Sequence, residues 1–185
     1  MKIKKLFSLL VPAVLAATMA LPACEDGDDG KTNWERYADW RNQNETWIQQ
    51  QIDKKDASGK ALFTKYSPIY NSQVQFLMRF IGDPAANIGN LQPMYTSTAT
   101  VNYTVHLCDG TRIDSSYHYT SQLSSQYLIN GWSEIITRMH VGDSVEAILP
   151  YTLGYGQSGT TGVPPYSALR FNVKLVDIPN YETRP

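Results

Sequence analysis

The chain has 185 residues, 42% of them hydrophobic, with 16 Lys and Arg against 17 Asp and Glu and only two cysteines. That composition excludes a disordered or collagen-like chain. A formal charge of −1 leaves no basic excess to neutralise a phosphate backbone, which argues against a nucleic-acid partner.

Lys2, Lys4 and Lys5 precede the apolar run LFSLLVPAVLAATMALPA, which stops at Cys24. The run is short for a membrane span and is interrupted by Pro12 and Pro22, which is the pattern of a cleaved signal peptide over 1–23. Leu21, Pro22, Ala23 and Cys24 resemble a bacterial lipobox, whose cysteine is lipidated and becomes the first mature residue. Cleavage there removes 23 residues and three lysines, leaving 162 residues of formal charge −4. Lipidation of Cys24 would leave Cys108 as the only thiol, so the fold is expected to rest on its core rather than on an intrachain disulfide. Residues 24–32 are acidic and glycine-containing and read as a solvated tether. Glu25 follows the cysteine where inner-membrane retention usually has Asp, so the expected address is the outer membrane, on its periplasmic or surface face.

Residues 33–55 contain no Gly or Pro and favour helix, with Trp34, Tyr37, Ala38, Ile48 and Ile52 near one face. A helical extension over 33–59 is expected, stopped by Gly59. Trp40 and Trp47, one heptad apart, either dock this helix on the domain or present it to a partner.

From residue 60 to 178 the periodicity changes. VQFLMRFIG at 74–82 is a dense apolar run, and TVNYTVHL at 100–107 alternates, with Val101, Tyr103, Val105 and Leu107 on one side. Asp109-Gly110 is a hairpin signal, and the chain returns from Arg112. SVEAILP at 144–150 and LRFNVKLVDI at 169–178 are two more strands. Between them Trp132, Ile135, Ile136 and Met139 follow helical spacing, with Gly142 beyond. The expected class is α+β: an antiparallel β-sheet wrapped on one short helix, followed by a tail at 179–185.

The blocks YTVHLCDGTRIDSS, INGWSEIITRMHVGDSVEAILPYTLGYGQSG and VPPYSALRFNVKLVDI, in that order over roughly 96–178, resemble the FKBP-type peptidyl-prolyl cis-trans isomerases. The resemblance implies rotation about X-Pro amides, whose barrier is about 18–20 kcal/mol because resonance holds the amide planar. Twisting weakens the C–N double-bond character and the carbonyl dipole, so an apolar, water-poor pocket favours the transition state without any nucleophile or cofactor.

Carried over residue by residue, the resemblance makes Trp132 the indole floor and Leu128 with Ile129 the apolar pair before it. Tyr103 and Phe171 become wall aromatics, Tyr155 the phenol that binds a ligand carbonyl, Asp114 the buried pocket acid, and Val163 the aliphatic residue on an overhanging loop. Ile113 stands where the family most often has Phe, Val105 where it has Gly, and Thr160 where some members have His. The segment between Ser116 and Leu128 is shorter than usual and leaves one wall aromatic without a counterpart; Ser121 or Leu123 lies nearest, and Tyr117 or Tyr119 could compensate.

His106, His118 and His140 have no ligand spacing, so no metal is expected. Neither a P-loop nor a dinucleotide fingerprint is present. Two functions follow. One is a lipid-anchored isomerase that acts on proline-containing segments of envelope proteins and could bind the family's macrolide inhibitors. The other is a non-catalytic lipoprotein that uses the same fold for peptide binding or assembly.

Overall fold

A computed structural model describes residues 30–182 of the chain. The expected signal peptide, Cys24, most of the tether and the last three residues of the tail lie outside the described residues.

The chain enters through a capping box. Thr32 accepts from the Glu35 amide, and the Glu35 carboxylate accepts from the Thr32 amide at 2.9 Å, which satisfies two donors at the start of α1 (Asn33–Arg36). The single helix expected here is broken at Tyr37, and α2 (Ala38–Ile52) follows. At the break the Trp34 carbonyl accepts from the Arg41 guanidinium at 2.8 Å. The docked stripe is Trp40, Asn44, Trp47, Ile48, Gln51 and Ile52, whereas Trp34, expected on the inner face, is 50% exposed. Ile48 and Ile52 of the expected face are docked, but apolar periodicity could not include Asn44 and Gln51, which belong to it as well. They are buried and hydrogen-bonded, Asn44 to the Ala168 amide and Gln51 to Lys54.

Six strands then form one antiparallel sheet in the order β1-β2-β5-β6-β3-β4. They are β1 (Thr64–Tyr66), β2 (Phe76–Ile81), β3 (Thr98–His106), β4 (Arg112–Gln122), β5 (Ser144–Leu149) and β6 (Leu169–Asn180). The hairpin between β3 and β4 turns where the sequence signals it. Gly110 has φ +89°, a left-handed conformation that costs glycine nothing, and the Thr111 amide donates to Asp109 Oδ1 at 2.8 Å.

Alternation along the strands divides apolar residues between two faces. Phe76, Met78, Val101, Val105, Val145, Ala147, Leu149, Leu169, Phe171, Val173 and Leu175 form the principal core with α3 (Asn130–Ile136). On the opposite face Leu77 and Ile148 join Phe63 in a smaller core, covered by Trp47, Ile48 and Ile52 of α2. The sheet is thus covered on both faces near β2 and β5, with α2 serving as a second layer.

The sequence extends α3 to Met139, but the regular helix ends at Ile136. The chain tightens through i to i+3 bonds, from the Arg138 amide to Ile135 and from the Met139 amide to Ile136, and this still delivers Met139 to the core. Gly131 explains how closely α3 approaches the sheet: a β-carbon there would fall 2.2 Å from Leu149 Cδ1.

Candidate functional site

Above the principal core the concave face leaves a cavity of about 180 Å³ lined by Tyr103, Val105, Ile113, Asp114, Tyr119, Tyr127, Leu128, Ile129, Trp132, Tyr155 and Phe171. Trp132 is its floor. The first turn of α3 points the indole toward β3, β4 and β6, where it meets Tyr103 edge-on at 5.1 Å, Tyr119 edge-on at 5.9 Å and Phe171 at 5.9 Å. Such edge-to-face arrangements fix ring positions as well as bury area. The indole N–H donates to Ser121 Oγ at 3.3 Å, so the buried polar tip has a partner.

The cavity is open to solvent, and two of its lining residues, Tyr127 and Tyr155, are 89% and 41% exposed. An apolar cavity of about 150 Å³ suffices to hold a benzene ring, so this one has room for the smaller pyrrolidine ring of proline.

The polar side of the cavity is a pair. The Tyr103 hydroxyl donates to Asp114 Oδ2 at 2.7 Å, while Asp114 Oδ1 accepts from the Ser115 amide at 2.7 Å. Burial first, then the hydrogen bond and charge of Asp114, push the Tyr103 phenol above its ordinary range. Tyr155 is pushed up as well, by burial and then by the Asp114 charge. Both phenols therefore remain protonated donors at neutral pH.

Of the nine side chains assigned to the pocket from the sequence, eight line this cavity: Tyr103, Ile113, Asp114, Leu128, Ile129, Trp132, Tyr155 and Phe171. Val163 does not. The backbone bonds Thr160 N–H to Val163 O and Val163 N–H to Thr160 O close a tight turn that drives Val163 into the core instead of over the opening. Asp114, expected to be buried, is exposed, in keeping with the edge position of β4.

The unassigned wall aromatic is Tyr119, with Tyr127 added at the rim. In a regular strand Tyr117 and Tyr119 would share a face. The register slips so that Val101 faces Tyr119 while Tyr103 faces Ser116, and His118 takes φ +54°. This bulge sends Tyr117 out to 75% exposure and turns Tyr119 inward. Ser121 serves the indole, and Leu123 belongs to the core.

The loop that carries Tyr155 runs from Tyr151 to Ala168 between β5 and β6. Gly159 is required there, since its φ is +66° and a β-carbon would lie 2.4 Å from the Val163 carbonyl oxygen. Cys108 sits away from the cavity, half-buried beside Thr46 and Trp47, its thiol pushed up to about 11 by burial and then by Asp109.

Residues 89–176 match the model of the FKBP-type peptidyl-prolyl cis-trans isomerase family. The chain is 35% identical over 98 residues to the FKBP-type peptidyl-prolyl cis-trans isomerase FkpA of Escherichia coli, covering 50% of this chain and 36% of that one. It is 37% identical over 97 residues to the macrophage infectivity potentiator of Trypanosoma cruzi, covering 51% and 50%. Against the peptidyl-prolyl cis-trans isomerase Mip of Coxiella burnetii the figures are 38% over 89 residues, covering 46% and 39%. The chain therefore spans about a third to a half of the length of these relatives.

The fold is similar to the crystal structure of FkpA from Escherichia coli, with TM-score 0.62, 22% identity and coverage of 80% of this chain and 63% of that one. It is also similar to a peptidyl-prolyl cis-trans isomerase from Pseudomonas syringae, with TM-score 0.60, 18% identity and coverage of 77% and 95%. Over residues 89–176 the chain is similar to the FKBP-type peptidyl-prolyl cis-trans isomerase domain, and this is the part it shares with these relatives.

Proposed function

We propose that the protein catalyses cis-trans isomerisation of X-Pro bonds in polypeptides of the bacterial cell envelope, tethered there by a lipid on Cys24. The observation that carries the catalytic reading is the open aromatic cavity floored by Trp132, with a protonated phenol at its rim. A prolyl ring seated on the indole between Tyr103, Tyr119 and Phe171 leaves its preceding amide near Tyr155. The Tyr155 hydroxyl donates to a flanking carbonyl and holds the chain while the amide twists. Water is excluded from the floor, so the planar form with its larger carbonyl dipole gains no compensating solvation, and the barrier falls. The Tyr103–Asp114 pair fixes the wall against which the ring rests. No bond is made or broken.

Two-dimensional exchange NMR on an Ala-Leu-Pro-Phe peptide with the purified chain tests this reading. The expected result is cis-trans exchange well above the uncatalysed rate, reduced about tenfold or more by Trp132→Leu and about threefold to tenfold by Tyr155→Phe. Uncatalysed rates at high protein concentration would leave a peptide-binding module in place of an enzyme. The same cavity is the expected site for the family's macrolide inhibitors, which should compete with the peptide. For the anchor, radiolabelled palmitate should enter the wild-type chain in a Gram-negative host and not Cys24→Ala; label in both would remove the lipid from the proposal.

A further inference from the structure

The helical segment ahead of the sheet is bound most specifically to the loop that carries Tyr155. Asn44 of α2 is 2% exposed, and its Oδ1 accepts from the Ala168 amide at 2.8 Å while its Nδ2 donates to the Trp40 carbonyl at 2.7 Å. One turn earlier the Trp40 indole N–H donates to Ser167 Oγ at 2.9 Å, and that hydroxyl donates to the Pro164 carbonyl at 2.7 Å. Asn33 Nδ2 of α1 reaches the Gln157 carbonyl at 3.2 Å.

Between these points Tyr166 is held by rings. Trp34 meets it edge-on at 5.6 Å, Tyr151 edge-on at 5.1 Å, and the Arg41 guanidinium lies 3.3 Å from the Trp34 ring and 5.7 Å from that of Tyr166. Tyr166 is buried with φ +62°, a conformation that a residue with a β-carbon keeps only where its surroundings over-determine it. Its amide donates to the Gly156 carbonyl at 3.0 Å, next to Tyr155. A set of contacts therefore runs from α2 through Ala168 and Tyr166 to the backbone beside Tyr155.

We propose that α1 and α2 brace the loop from Tyr151 to Ala168, so that Asn44 and Trp40 are positioning residues that act on the prolyl site through Tyr155. The proposal rests on the isomerase reading for its catalytic consequence, though not for the brace itself. Buried polar bonds from a rigid helix fix a loop more closely than apolar contact does, and a displacement of about 1 Å at a group that binds the reacting segment can cost about a hundredfold in rate.

The test uses the full chain with Asn44→Leu, which has the same branched heavy-atom shape in a somewhat larger volume and makes neither hydrogen bond. Hydrogen exchange read by mass spectrometry should show amides in 154–168 exchanging about tenfold faster than in the wild type, with β3 unchanged. Isomerase assays should show kcat lowered about fivefold and KM changed less than twofold, and Asn44→Leu should have no further effect in a Tyr155→Phe background. Should Asn44→Leu fail to fold, Trp40→Phe keeps an aromatic side chain, though a smaller one, and removes the donor to Ser167; it should shift the same loop amides and the same kinetic constant by about twofold.

Loop exchange no faster than in the wild type overturns the brace. Loop exchange faster but kinetics unchanged, or an Asn44→Leu effect that persists in full without the Tyr155 hydroxyl, overturns its action through Tyr155. A wild-type chain without isomerase activity removes the isomerase reading, and loop exchange alone then decides whether the brace exists.

Discussion

Tyr103 couples the site to pH. Its phenol is partly buried and donates to Asp114, so its folded-state value lies above the ordinary one of about 10 that it has in the unfolded chain. A group whose value is raised on folding contributes stability that is complete below the unfolded value and is lost as pH rises toward the folded one. Urea midpoints should therefore fall as pH rises above about 10, and Tyr103→Phe should flatten that decline while costing about 1 kcal/mol at neutral pH for the lost hydrogen bond. An alkaline slope identical in the two proteins would mean the phenol is not the titrating group. Cys108 obeys the same logic: with its thiol pushed up to about 11, it should react with iodoacetamide far more slowly than a free thiol at pH 8.

At the scale of elements, α3 depends on one missing side chain. Gly131 lies against Leu149, which is fully buried. Gly131→Ala should destabilise the protein by about 1–3 kcal/mol through overpacking, despite alanine's better helix propensity. Leu149→Val, which removes the colliding Cδ1, should return part of the loss; thermal denaturation of the two variants and their combination measures it.

The strands and α3 were legible because their apolar residues recur at the right period and because Asp109-Gly110 marks the turn. Eight pocket residues were legible because the motif order carries them. The rest depended on backbone irregularities that leave no pattern in side-chain type. The bulge at His118 separates Tyr117 from Tyr119, the Thr160–Val163 turn redirects Val163, and Asp114 lies exposed on the edge strand β4. The face of α2 was legible only in part: Ile48 and Ile52 mark it, but two of its docked residues are polar, and their burial becomes favourable only once the Ala168 amide and the Lys54 ammonium are in place.

Across the whole molecule, the face of the sheet away from the cavity also carries charge. Glu146 on β5 is buried, and its carboxylate meets Arg79 Nε on β2 and Arg170 Nε on β6, each at 2.6 Å. The arginines are partly exposed and can rehydrate alone, but the carboxylate cannot. Removing both arginines with Arg79→Ala and Arg170→Ala should thus cost about 3–5 kcal/mol, more than Glu146→Gln. The reverse order in urea titrations would show the carboxylate to be hydrated after all.

Because α2 is a layer over β2 and β5, helix and sheet should also unfold together. Trp132→Phe leaves Trp34, Trp40 and Trp47 as the only fluorophores of their kind, all in α1 and α2. Their emission should change at the same urea concentration as the far-ultraviolet circular dichroism, whereas an earlier change would mean that the helices detach first.

The strand order has a temporal corollary. β3 pairs with β6 and β2 with β5, so two of the five ladders join segments about 70 residues apart, while β1–β2, β3–β4 and β5–β6 close over shorter stretches. Loop-closure entropy must be met before those ladders can reward it, which places self-assembly of this chain among the slow, non-local topologies, milliseconds to seconds rather than microseconds. The indole floor receives its neighbours from three strands that converge only at the end of that process. A newly made molecule therefore lacks its aromatic cavity until late, and any capacity to bind a ligand there should appear only with the last phase of its own folding.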